Sequence, residues 1–302
     1  MEKRNINFVS GFKKANIIST IIFILSVIFI IFKGLNYGID FKGGTLIELR
    51  TENKVNASSI RESLNLMNLG DVNVKKFGKD GDYLIKVEQK NTNDNELISK
   101  IKKKLAENLG EEVNFRRVEN VGPKVSSELL ESSIIAISLA LAAMLFYIWV
   151  RFEWQFSIGS IIALFHDVVI TLGIFSLLSL EINLSIIAAV LTIVGYSMND
   201  TVVIYDRIRE NLFKYSRISI SEVANLSINE TLSRTIITSV TTLLALVSIY
   251  ALGGEILRGF SFAMILGVLI GTYSSIFVAS PILKYFKVSY KTIEKEEERI
   301  VP

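Results

Sequence analysis

Six stretches of this chain are long and apolar enough to cross a bilayer, which leaves little choice about its fold. They run from about Ala15 to Phe32, Ser132 to Val150, Phe156 to Leu180, Leu184 to Ile204, Thr235 to Leu252 and Phe260 to Phe286. A hydrocarbon core of about 30 Å asks for about 20 apolar residues per spanning helix. Half of the residues are hydrophobic and three are proline, with a mean hydropathy of +0.43, too apolar for an ordinary soluble domain. The first run follows a basic start. A signal peptide is the rival reading, but the run is long for such a segment and no small-residue cleavage site follows, so a retained helix is expected.

The composition also excludes chemistry. With no cysteine, disulfides, thiolate metal sites and cysteine nucleophiles drop out. The single histidine, His166, would need carboxylates at metal-ligand spacing that the chain does not offer, so neither a metal nor a cofactor is expected. The net charge of +3 is carried at segment ends, as membrane orientation requires; it is not a nucleic-acid footprint. Basic residues gather at the N-terminus, at Arg151, between Arg207 and Arg234 and in the tail, whereas the link EINL has none. By the positive-inside rule both termini face the cytoplasm.

The only long polar region, 37–124, is then expected outside the cytoplasm. Gly43 and Gly44 predict a turn before a strand over Thr45–Arg50. Apolar spacing predicts helices over Ala57–Met67 and Glu96–Leu109. Strands are expected over Asp71–Phe77 and Tyr83–Glu88, joined by the turn GKDGD, and from Val113 to Val118. The order β-α-β-β-α-β is that of a ferredoxin-like domain. The expected architecture is a polytopic α-helical membrane protein, six transmembrane helices with one α+β ferredoxin-like extracytoplasmic domain between helices 1 and 2. Its segments are 1–36, 37–124, a five-helix bundle 125–286 and a charged tail 287–302. Pro123 is read as ending regular structure. The outer domain carries no nucleophile, acid pair or phosphate loop and reads as a binding or mechanical module rather than an enzyme.

Within the bundle the informative residues are polar. Asn199 and Asp200 interrupt the fourth run, and an ionised carboxylate in lipid costs about 3 kcal/mol or more unless it has a partner. Arg234, opening the fifth run at a comparable depth, is the expected partner. Ser197, Tyr196 and Thr192 continue one face from Asp200, and Thr238, Thr241 and Thr242 one from Arg234. Two such stripes could line a hydrated proton path. The bland alternative is that Asp200 snorkels to the headgroups of membrane lipids and Arg234 anchors the interface. His166 and Asp167 lie deeper, with Asp167 sharing a face with Ser160 and Thr171; His166 also reads as a neutral imidazole between helices. Small residues at Ala263, Gly267, Gly271, Ser275 and Ala279 are expected to pack within the bundle rather than form a dimer interface.

These residues sit in five segments, GIDFKGGTLIEL, VGPKVSSEL, YIWVRFEWQFSIGSIIALFHD, GYSMNDTVVIYDRIREN and SRTIITSVTTLLA. In that order they resemble the SecF family, the smaller halves of bacterial SecDF protein-export complexes in the RND superfamily. The resemblance implies a SecD partner, association with the SecYEG translocon, engagement of the emerging preprotein, and use of the proton-motive force. It assigns the family's functional aspartate to Asp200, its arginine to Arg234, and its HD pair to His166 and Asp167. The rival functions are a proton-coupled exporter of small molecules or lipids, an intramembrane aspartyl protease pairing Asp167 with Asp200, and a passive translocon assembly factor. The protease reading lacks its GxGD context and is disfavoured by a nearby arginine.

Overall fold

A computed structural model of the chain describes residues 6–51, 55–67, 69–70, 72–76, 78, 80–87, 94–110, 113–290 and 292–293. The elements in chain order are α1 (Val9–Phe32), β1 (Asn36–Tyr37), α2 (Ile39–Lys42), β2 (Gly44–Arg50), α3 (Ala57–Asn65), β3 (Val72–Lys76), β4 (Asp82–Val87), α4 (Asp94–Leu109) and β5 (Asn114–Val121). Then follow α5 (Pro123–Arg151), α6 (Trp154–Leu177), β6 (Glu181–Ile182), α7 (Leu184–Lys214), α8 (Ile220–Leu252) and α9 (Gly254–Ser274). A π-helical turn (Ser275–Ala279) leads into α10 (Ser280–Tyr285). The chain divides into two compact units, one of Tyr37–Ile135 with Glu181–Leu184, the other of Met1–Asn36, Ala136–Leu180 and Ser185–Pro302.

The first unit is built on a four-stranded sheet of order β3-β4-β2-β5, antiparallel throughout. Alternation along the strands sends Ile47, Leu49, Val72, Val74, Tyr83, Ile85 and Val87 to one face, where period-2 geometry places them together. Ile60 and Leu64 of α3, and Leu97, Ile101 and Leu105 of α4, recur at helical spacing and close the core over that face. Across β2 and β4, Arg50 stands opposite Asp82 and donates two hydrogen bonds to its carboxylate. Gly43 and Gly44 have φ of +77° and +123°, a backbone that other residues rarely adopt. A Cβ on Gly43 would also sit 3.2 Å from the Val121 carbonyl oxygen. The predicted strand ends Asp71, Phe77 and Glu88 lie outside the described residues, as does most of the tail from 294 on.

Among the described residues, six helices are long and apolar enough to cross a membrane: α1, α5, α6, α7, α8 and the stretch Leu257–Tyr285. Three of them form the middle of the second unit: about 50–61% of the most apolar window is buried in the third, fourth and sixth, against 11–17% in the others. The small residues on α9 explain the close approach. Gly267 packs on Ile193, and a Cβ on Gly271 would lie 2.9 Å from the Ser197 Cβ, so the stripe serves packing inside the bundle as expected.

Two helix boundaries correct the sequence reading. Pro123 does not end structure but opens α5; its missing N–H costs nothing in the first turn, where the N–H would have no partner. The polar connection between the fourth and fifth runs is mostly helical, since α7 runs on to Lys214 and α8 already starts at Ile220. There the Ser219 side chain caps the helix and Glu222 returns the bond. The charges of this region are spent between helices: Arg151 with Asp206 at 3.0 Å, Arg209 with Glu153 at 3.0 Å, and Arg207 with Glu230 at 2.6 Å.

Candidate functional site

Asp167 lies thirteen residues into α6, about 20 Å along the axis at 1.5 Å per residue, and is completely buried. Such a group needs hydrogen-bond partners, and three converge on it. His166 Nδ1 lies 2.9 Å from Asp167 Oδ1. Ser197 Oγ of α7 and Ser274 Oγ of α9 donate to Oδ2 at 2.5 Å and 2.7 Å. The expected companions Ser160 and Thr171 are buried too, but their hydroxyls turn back onto the carbonyls of Phe156 and Asp167. The His166 ring stacks on Phe23, with centroids 6.4 Å apart. Its buried Nε2 has no hydrogen-bond partner among the described residues. His166 also lines an apolar groove of about 410 Å³ between α1, α6 and α9.

Asp200, one turn beyond Ser197 on α7, is 2% exposed and does not snorkel. Its hydrogen bond comes from Thr272 Oγ1 of α9 at 3.4 Å, and Thr272 shares a second bond with Ser239 of α8 at 2.7 Å. Beside it Thr201 and Ser275 are 2.9 Å apart. Both carboxylates are therefore tied to hydroxyls of α9, Asp200 from α7 and Asp167 from α6, with Asp167 bonded to α7 as well. They differ in how firmly they are held: Asp167 has three short bonds, Asp200 one long one.

The expected direct pair of Asp200 with Arg234 is not formed. Arg234 is exposed, and no ion pair between the two falls within 4.0 Å among the described residues, although Arg234 is near enough for its charge to act on Asp200. The reason is rotation: Thr235 and Ser239 are the buried residues of α8 here, and one residue of a helix turns the side chain by about 100°. Asn199 is exposed beside Asp200 for the same reason. Thr238 and Thr241 bond back to the carbonyls of Arg234 and Ile237. Thr242 alone of that stripe reaches α7, accepting from Tyr196 at 3.4 Å.

Thr272 and Ser274 of α9, with Ser275 just beyond its end, were not singled out as site residues from the sequence, where only the small-residue spacing was read. The signal was present in GTYSS, a run of hydroxyls within an apolar span. Directly after it α9 loosens into the π-turn Ser275–Ala279, a form found often at functional sites. Pro281 lacks the N–H that would complete the regular ladder. Tyr205 Oη of α7 donates to the Ala279 carbonyl at 2.9 Å, and Ser280 Oγ to that of Ser275 at 2.9 Å. Gly159 leaves the space that the Tyr205 hydroxyl occupies.

Two family models match. The one described as "Protein export membrane protein SecD/SecF, C-terminal" covers residues 101–289, and the "SecD/SecF GG Motif" covers 28–55, including Gly43 and Gly44. The protein translocase subunit SecF of Rickettsia bellii is 46% identical over 286 residues, 94% of each chain. That of Desulfurispirillum indicum is 43% identical over 295 residues, again 94% of each. Among solved structures, SecDF from Thermus thermophilus, described as a translocon-associated membrane protein, superposes with a TM-score of 0.86 at 36% identity. The match covers 95% of this chain but 39% of the SecDF chain. A SecDF structure in a super-membrane-facing form gives 0.70 at 34% identity, covering 99% and 40%.

Proposed function

Because the chain belongs to the SecD/SecF family of protein-export membrane proteins, and so is a multi-pass inner-membrane protein with a role in protein export, we propose that it couples proton flow to preprotein movement. In this reading the sheet unit is a ferredoxin-like domain on the outer side of the membrane, both termini face the cytoplasm, and SecYEG supplies the channel. SecD supplies the remainder of the machine, since this chain spans 39% of the SecDF chain it resembles. Arg234 and Asn199 are exposed in this chain, on helices read as spanning the membrane, and lipid gives polar groups nothing to bond to. A partner helix offering polar groups suits that face.

One observation carries the reading: two buried carboxylates on neighbouring spans, joined through the hydroxyls of a third span that ends in a π-turn. Protonating Asp167 would displace one of three short hydrogen bonds. Protonating Asp200 displaces none that is short. Asp200 is therefore the site that can change state cheaply, and it does so within the field of Arg234. A neutral Asp200 releases Thr272 to Ser239, and α9 repacks about the π-turn while Asp167 keeps α6, α7 and α9 in register. The drive is about 2.3 kcal/mol per proton per 100 mV, enough to tilt a bistable bundle but not to drag a polypeptide in one stroke. Many cycles are needed per preprotein.

The test compares export into inverted inner-membrane vesicles with and without this chain, each before and after a protonophore collapses the gradient. The expected result is that the stimulation due to the chain disappears with the gradient. Stimulation that survives the protonophore would refute proton coupling and leave a passive assembly role, which the exposure of Arg234 also suits.

A further inference from the structure

The link between α6 and α7 joins the helix of His166 and Asp167 to the helix of Ser197 and Asp200, yet its residues Glu181–Leu184 belong to the compact unit of the sheet, not to the bundle. Four contacts hold it there. β6 pairs with β1, and Gly38 N–H donates to the Ile182 carbonyl at 2.8 Å. The Leu184 N–H donates to Asp40 Oδ2 at 2.9 Å. Lys86, on β4, forms an ion pair with Glu181, the side chains being 22% and 26% exposed. Gly38 makes room for this pair, because a Cβ there would lie 3.3 Å from the Glu181 Cγ.

We infer that Lys86 and Glu181 are positioning residues, a clasp through which a change in the packing of α6 against α7 is handed to the outer sheet. The inference rests on the proton-coupling reading above and adds the route by which the bundle acts on the domain. The clasp is chemically specific. Lys86 is the penultimate residue of β4, flanked by the core residues Ile85 and Val87 and held between Leu46 and Asn73 on the neighbouring strands, so its backbone is fixed to the sheet and cannot swing away with the link. Burial, reinforced by Lys75 and Lys42, pulls its ammonium down to about 8, with Asp40 acting the other way. At about 8 it still carries its charge at neutral pH, and Glu181 is the carboxylate with which it pairs. Half-buried pairs of this kind are costly to break from one side, because the remaining charge is left without its partner. A backbone strand pair alone, two residues long, could fray. With the ion pair and the Asp40 cap it moves as part of the sheet.

The test uses the full chain with SecD in inverted vesicles and reads two quantities, export without a gradient and the increment that a gradient adds. The variants are Lys86→Glu, Glu181→Lys, the double exchange, and Asp200→Asn as a control on the underlying reading. Each single variant is expected to reduce the increment by at least about fivefold, the low end of coupling between sites. Gradient-free export and co-purification with SecD stay at wild-type level, and the double exchange restores the increment to within about twofold, the usual context scatter for a rebuilt pair. A full increment in both single variants, or a loss that the exchange does not repair, overturns the clasp while leaving proton coupling in place. A full increment in Asp200→Asn overturns the proton reading and the clasp with it.

Discussion

Asp200→Asn is expected to abolish the gradient-driven part of export while leaving a folded chain that still co-purifies with SecD. The carboxamide has the shape of the acid and keeps an oxygen to accept from Thr272, the 3.4 Å bond that Asp200 has now. What it loses is the exchangeable charge. The gradient biases a titrating group by about 2.3 kcal/mol per 100 mV, or about fiftyfold in population, and an asparagine feels none of it. Gradient-stimulated export should therefore fall to the level seen with the gradient collapsed. Stimulation within about twofold of wild type, a difference well under the lost bias, would remove Asp200 from the mechanism.

Asp167→Ala should act differently, through stability. It strands His166 Nδ1 and Ser197 Oγ at once, in a place where nothing is exposed, while Ser274 Oγ, which now donates to Asp167, falls back on the Gly271 carbonyl at 3.1 Å. Each buried donor left without its acceptor costs about 1–3 kcal/mol, so the sum is a large part of the 5–15 kcal/mol that holds a typical protein folded. Thermal unfolding of the purified chain in detergent should drop sharply for Asp167→Ala and by clearly less for Asp167→Asn, which keeps one acceptor oxygen. Equal melting of Asp167→Ala and wild type would show that the three bonds hold nothing. The two aspartates thus separate by readout, one in coupling, the other in folding.

What the sequence made legible was depth; what it left hidden was rotation. Apolar runs located all six spans, and the strand and helix periodicities of the sheet unit reappear as buried Ile47, Ile85, Ile60 and Ile101. That Asp167 points inward followed from Thr171 and Ser160, one and two turns away on the same face. Which way α8 faces did not, because Arg234 and Thr235 are equally plausible inward residues until α9 packs beside them. The structure chooses Thr235 and Ser239, since Ser239 meets Thr272, and Arg234 turns outward. The partner of Asp200 was sought on the next helix in sequence, and it lies on α9, seventy-two residues further along the chain. Long-range pairings of that sort leave no local period to read. The clip between the link EINL and the sheet was hidden for the same reason: two-residue strands such as β1 and β6 fall below any pattern that alternation can reveal.

The claim on which the rest depends is that a proton crosses the membrane by way of Asp200. The complex of this chain with SecD, reconstituted into liposomes around a pH-sensitive dye, measures that directly when a gradient is imposed across the bilayer. The wild-type complex should acidify the lumen faster than protein-free liposomes, and the Asp200→Asn complex should be indistinguishable from them. Equal proton flux through wild type and Asp200→Asn would contradict the account.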